Sequence, residues 1–115
     1  MGQQMRTEVA LRLLHDVSLG QVRAGMPDLT PRQLAILTII YLDAPPHTVR
    51  GLASRLDVTK PVITRALDSM GKLGLVTRRR DDRDRRNVII SRTVEGTLYL
   101  EKLADMLAEA SEKAQ

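Results

Sequence analysis

The sequence contains no cysteine, no phenylalanine and no tryptophan, and it has two tyrosines. Without cysteine there is no disulfide framework, no thiolate zinc site and no cysteine-based redox sensing. So few aromatics argue against a stacking platform for single-stranded nucleic acid. The core must therefore be aliphatic, built from Leu, Ile, Val and Met. No apolar run approaches the ~20 residues of a membrane-spanning helix. The start, MGQQMRTEV, lacks the apolar stretch and cleavage pattern of a signal peptide. Arg6 stands where a myristoylation signal has Ser or Thr. The expectation is a cytoplasmic protein with no membrane partner. Catalytic constellations are missing too: there is no nucleophile–base pair, metal-ligand cluster or phosphate-binding glycine loop, and His15 and His47 lack local carboxylate partners. No enzyme activity, metal or cofactor is expected.

A chain of 115 residues has room for one modest core. The net charge of +4 is mild, but its distribution is uneven. Residues 76–92 carry seven basic and three acidic side chains, whereas residues 93–115 carry two basic and five acidic. Such asymmetry suggests a face for nucleic acid and another that avoids it.

Periodicity places a helix over residues 3–24, with Met5, Val9, Leu13 and Val17 on one face and Ala10 and Leu14 beside them. After a linker at Gly25–Asp28, Thr30 and Gln33 form a capping box with Pro31 in the first turn. The helix that follows is apolar nearly all round from Leu34 to Leu42, so it belongs at the centre. His47–Val49 reads as a short extended piece. A short helix over about 50–56 points Leu52, Ala53 and Leu56 inward, and Asp57-Val58 makes a tight turn. Thr59 is expected to cap a longer helix with the inward stripe Ile63, Ala66, Leu67, Met70 and Leu73, ended by a left-handed Gly74. A last helix runs from about Thr93 to Ala114.

Between these helices, Leu75–Arg80 and Asn87–Arg92 read as two strands joined by a charged turn. Leu75, Val88 and Ile90 face the core, while Arg78, Arg79, Arg80, Arg83, Arg85 and Arg86 crowd the exposed side. So many like charges repel unless something negative lies outside. A thin, arginine-tipped ribbon suits duplex DNA, whose narrow minor groove concentrates negative potential. The bland alternative is a solvated charge run. Asp81-Asp82-Arg83-Asp84 is not a calcium loop, because the glycine and the distant glutamate are missing. A short helix, tight turn and second helix followed by this hairpin make a winged helix-turn-helix. The fold class is thus mainly α with a small β-hairpin, and with terminal helices for dimerisation. Residues 1–29 would be a dimerising helix and linker, 30–92 the DNA-binding domain and 93–115 a dimerising C-terminal helix, in a single compact unit.

Segment 30–96 resembles the MarR family of bacterial transcriptional regulators. The resemblance rests on Leu29-Thr30-Pro31-x-Gln33, on Leu52-Ala53-x-x-Leu56-x-Val58, and on the spacing of Gly74-Leu75-Val76, Asp84-Arg85-Arg86 and Thr93-Val94-Glu95-Gly96. Val62 stands where the family usually has a small polar residue, and Gly71 where it usually has an acidic one. The family commonly adds further helix to complete its dimerisation domain, whereas this sequence stops at Gln115. The resemblance implies that Asp84 holds the wing arginine Arg86. It also implies a double-stranded DNA operator, and it brings the possibility of small phenolic or anionic effectors. His15 and Tyr41 are candidates to line an effector cleft, but the sequence names no effector.

On the candidate recognition helix, Lys60, Pro61, Thr64, Arg65, Asp68, Ser69 and Lys72 are left outward. Pro61 suits a thymine methyl, Thr64 a base edge and Arg65 a guanine, whereas Thr59 and Lys60 suit phosphates. Asp68 and Lys72 are spaced as a surface ion pair, and Arg65 has Asp84 as an alternative partner. Arg86 is the residue expected in the minor groove, with Arg85 or Arg83 beside it; Arg78, Arg79 and Arg80 flank phosphates. Arg50 and Arg55 are further phosphate candidates. The last helix carries Leu100, Leu103, Leu107, Ala110 and Ala114, with Tyr99 and Met106 widening the stripe. With the Met5–Val17 face it would form a homodimer reading a pseudo-palindrome; the alternative is that these helices close over their own domain. A small regulator with no separate activation surface is expected to repress. Two rivals are a winged-helix protein-interaction module or antirepressor, and a non-specific DNA coat.

Overall fold

The computed structural model describes residues 3–114, with side chains from residue 6 onward. The order is α1 (Gln3–Arg23), α2 (Pro31–Leu42), β1 (His47–Thr48), α3 (Val49–Leu56), α4 (Lys60–Lys72), β2 (Val76–Arg80), β3 (Val88–Arg92) and α5 (Val94–Ala114). Two units form: Asp28–Leu98 is one, and the described residues up to Pro27 with those from Tyr99 onward make the other. The C-terminal boundary between them falls inside α5.

In the first unit, α2 starts where local chemistry dictates. The Gln33 amide donates to Thr30 Oγ1 (3.1 Å) and the Thr30 amide to Gln33 Oε1 (2.9 Å), completing the capping box. Ile36, Leu37 and Ile40 are buried, but Leu42 is 75% exposed. All-round burial therefore fails at the final residue, where the chain leaves the helix at Asp43. The α3–α4 turn passes through Asp57 in the left-handed region, at φ 57°. From α4, Ile63, Ala66, Leu67 and Met70 enter the core, whereas Leu73, expected inward, occupies the C-cap and is 45% exposed.

Thr59 corrects another expectation. Its backbone takes the cap conformation, but its hydroxyl accepts no capping hydrogen bond. Pro61 removes one of the two amide donors a cap can engage, and the other, Val62 N–H, donates to the Thr59 carbonyl at 3.1 Å. Gly74 is left-handed as expected, at φ +76°.

The sheet is antiparallel in the order β1-β3-β2. The short extended piece at His47 is its third strand, pairing His47 with Ile90 and Thr48 with Ile89. In the hairpin, Val76 lies opposite Arg92 and Arg80 opposite Val88. Leu75, Val76 and Ile90 are buried and anchor the wing's base. The wing joins α5 through Thr93, whose hydroxyl donates to the Gly74 carbonyl (2.7 Å) and accepts from the Gly96 amide (2.9 Å).

In the second unit, Gln21 donates from Nε2 to the Tyr99 hydroxyl (3.3 Å), and Tyr99 donates to the Pro27 carbonyl (3.3 Å). Gly20 lies against Met106. Among the residues expected at a dimer face, Val9 and Leu107 are exposed, Leu13, Val17 and Leu103 are half-buried, and Leu100 and Ala110 are buried within the chain. The Met5 side chain lies outside the described residues. Among the described residues, no helix is long and apolar enough to cross a membrane.

Candidate nucleic-acid interface

The core stripe of α4 turns the opposite surface outward by helical geometry alone. Lys60, Pro61, Thr64, Arg65, Asp68, Ser69 and Lys72 are all exposed, as is Thr59 just ahead of the helix. Asp68 pairs with Arg78 of β2 at 2.8 Å, not with Lys72. This contact links α4 directly to the wing. Arg65 does not reach Asp84 either; its Nε donates to the Pro61 carbonyl at 3.5 Å.

The wing tip is shaped by its own carboxylates. The Arg83 amide donates to Asp81 Oδ1 (2.9 Å), the Asp81 amide to the Asn87 carbonyl (3.0 Å) and the Asn87 amide to the Asp84 carbonyl (2.9 Å). Asp84 then receives three bonds from Arg86: the amide to Oδ1 (3.2 Å), Nε to Oδ1 (3.0 Å) and Nη2 to Oδ2 (3.1 Å). This is the two-pronged pairing that guanidinium and carboxylate geometry favours. The Arg86 side chain hydrogen bonds hold the Asp84 carboxyl below its ordinary pKa, aided by its backbone amide and by the charge of Arg50. The same pairing raises the pKa of Arg86. Arg86 nonetheless keeps 86% of its side chain exposed.

The remaining arginines divide into held and unheld. Arg80 donates from Nη1 to the Arg85 carbonyl (2.9 Å), bracing the turn. Arg55 is paired with Asp43 at 2.7 Å, tying α3 to the end of α2. Arg79, Arg83, Arg85 and Arg50 have no side-chain ion pair among the described residues. Sequence reading missed Arg92, which lies 5.2 Å over the Tyr41 ring and donates to the Tyr41 carbonyl (3.4 Å). Tyr41 is thus already engaged, and His15 is exposed on α1. His47 is 8% exposed; its Nε2 lies 3.2 Å from the Asp43 carbonyl, which can only accept, so that nitrogen carries the proton. Among the described residues, no group of three or more His, Asp or Glu side chains is placed to hold a metal.

The helix pair, three-stranded sheet and charged wing define a winged helix-turn-helix protein. The MarR family model matches residues 29–88, more than half of the sequence, and the chain belongs to that family. It is 34% identical over 76 residues to an organic hydroperoxide resistance transcriptional regulator of Bacillus subtilis, covering 66% of this chain and 50% of that protein. It is 37% identical over 76 residues to the transcriptional repressor YetL of the same organism, covering 64% of this chain and 45% of that protein. The chain thus spans about half the length of the curated relatives it matches. A solved structure of the repressor CouR bound to a 23-mer DNA duplex superposes with a TM-score of 0.72 at 25% identity, over 93% of this chain and 72% of that one. The named relatives are regulators of transcription and not enzymes.

Proposed function

We propose that this chain is a sequence-specific, double-stranded DNA-binding transcriptional regulator that acts in the cytoplasm as a repressor. The observation that carries the reading is the Asp84–Arg86 fork, a guanidinium almost fully exposed yet already held in one orientation. A side chain fixed in advance loses less entropy on entering a groove. Arg86 enters the minor groove with Arg83 and Arg85 beside it, while α4 enters the major groove. Pro61 and Thr64 meet base edges; Thr59 and Lys60 meet phosphates. The Thr59 hydroxyl, not engaged as a cap, is available for that contact.

The active species is a homodimer reading a pseudo-palindrome with half-sites about one helical turn apart. Exposed apolar residues support it: Val9, Leu11 and Leu14 on α1, and Leu107 on α5. One relative is named for organic hydroperoxide resistance. These 115 residues hold no cysteine, so no thiol-based peroxide response resides in them.

The test is selection of bound duplexes from a random pool at near-physiological salt. Enrichment of a two-fold-symmetric site is the expected result. Retention without enrichment would instead identify a non-specific DNA coat, and no retention a protein-interaction module.

A further inference from the structure

The flank of α4 that faces α2 carries a basic feature separate from the wing. A cleft of about 320 Å³ lies there, lined by Thr30, Arg32, Gln33, Val62, Arg65 and Ser69 with one further α4 residue. Its lining includes two guanidiniums and no carboxylate. Neither Arg32 nor Arg65 has an ion pair among the described residues. Among the described residues, the one side-chain hydrogen bond of Arg65 runs from Nε and leaves both terminal nitrogens uncommitted. Thr30 Oγ1 and Gln33 Oε1 do not compete with an anion for the guanidiniums, since each already accepts from the other residue's amide. Val62, half-buried, supplies an apolar wall.

Val62, Arg65, Ala66 and Ser69 stand at i, i+3, i+4 and i+7, a single stripe of α4 turned towards α2. Pro61, Thr64 and Asp68 form the neighbouring stripe, whose Asp68 reaches the wing. Two like charges lining one cleft repel, and an anion between them reverses the sign of that interaction. The planar guanidinium matches the paired oxygens of a phosphate.

We infer that Arg32 and Arg65 together clamp one backbone phosphate of the duplex, so that Arg65 positions α4 and does not read a guanine. The inference rests on the DNA-binding reading above and replaces the role that the sequence suggested for Arg65. Arg32 joins the interface as a residue the sequence pattern did not single out.

The experiment measures affinity of the full chain for its selected duplex and for a shuffled one across a salt series. Arg32→Ala and Arg65→Ala are each expected to weaken both duplexes by the same factor, on the order of tenfold. The plot of log affinity against log salt should lose about 1.8 in slope per bound dimer, the share of one phosphate in each half-site. Because one phosphate is shared in each half-site, the double variant should lose about the same slope as either single variant and not twice as much. Arg32→Lys should restore the slope. An unchanged slope in Arg32→Ala overturns the clamp, as does an Arg65→Ala variant that relaxes preference at one base pair. If the native chain binds no duplex, the DNA reading itself has failed. Titration with inorganic phosphate, followed by NMR of the arginine side chains, then judges the cleft alone: shifts confined to Arg32 and Arg65 retain an anion site, and none discards it.

Discussion

Gly96 sits so close against the carbonyl oxygen of Leu75 that no β-carbon fits between them. The neighbouring Thr93 hydroxyl bridges Gly74 and the Gly96 amide, so the wing's first strand and the start of α5 are fastened at one point. A glycine is required there by backbone approach, not by a positive φ. Gly96→Ala should therefore destabilise the fold by about 1–3 kcal/mol, as overpacking typically does. Gly71 is the control, since a β-carbon there meets nothing within 4 Å. Gly71→Ala, inside α4, should stabilise by about 0.5–1 kcal/mol. Urea unfolding midpoints that move the same way in both variants would refute this account.

Arg86→Ala should weaken duplex binding while lowering the unfolding midpoint only slightly, because the side chain is exposed and, among the described residues, its only side-chain partner is Asp84. The same variant should change the titration of Asp84. The folded pKa of that carboxyl is lowered chiefly by the Arg86 hydrogen bonds. A depressed pKa contributes stability above the unfolded value of about 3.9 and loses it as pH falls through the lower folded value. The fork should thus stay intact from pH 8 to about pH 5, and duplex affinity should show no step in that window from this pair. Carboxyl-carbon NMR should find the Asp84 midpoint moving upward in Arg86→Ala.

The legible parts of this chain were those whose chemistry is local. The capping box at Thr30 and Gln33 and the left-handed Gly74 each involve residues within three positions of one another or a single backbone angle, and the Asp84–Arg86 pair, equally local, was implied by the family resemblance. What escaped involves partners distant in sequence. Spacing offered Lys72 to Asp68, and the fold supplies Arg78 instead, ten positions away on a strand. Arg55 looked like a free phosphate ligand until α3 folded beside Asp43. The Thr59 cap failed for a local reason that was available to reading: a proline two residues on removes a donor. The α2–α4 cleft was invisible because Arg32 and Arg65 meet only once two helices pack.

The Asp68–Arg78 contact should behave as a link between α4 and the wing. Both partners are partly exposed, at 51% and 33% of their side chains, so its share of stability is about 0.2–1 kcal/mol in a double-mutant cycle. Its larger effect should fall on DNA. Asp68→Ala removes the tie between the two reading elements and should blur discrimination between selected duplexes that differ in the spacing of groove contacts. Discrimination as sharp as in the native chain would mean that the wing is oriented by its strand pairing alone.

Thr64→Ala tests where sequence preference resides. Thr64 lies on the exposed stripe with Pro61, and no protein group accepts a hydrogen bond from its hydroxyl among the described residues. If it meets a base edge, its loss should relax preference at one pair of symmetric positions, at about 1–3 kcal/mol of discrimination for a good contact and less for a single hydroxyl. Overall affinity for shuffled duplex should hardly move, because non-specific binding is carried by phosphates. Arg32→Ala is expected to give the opposite pattern. The two variants, measured on the same pair of duplexes, therefore separate the reading stripe of α4 from its positioning stripe; a uniform loss in Thr64→Ala would move that residue to the phosphate-contacting side.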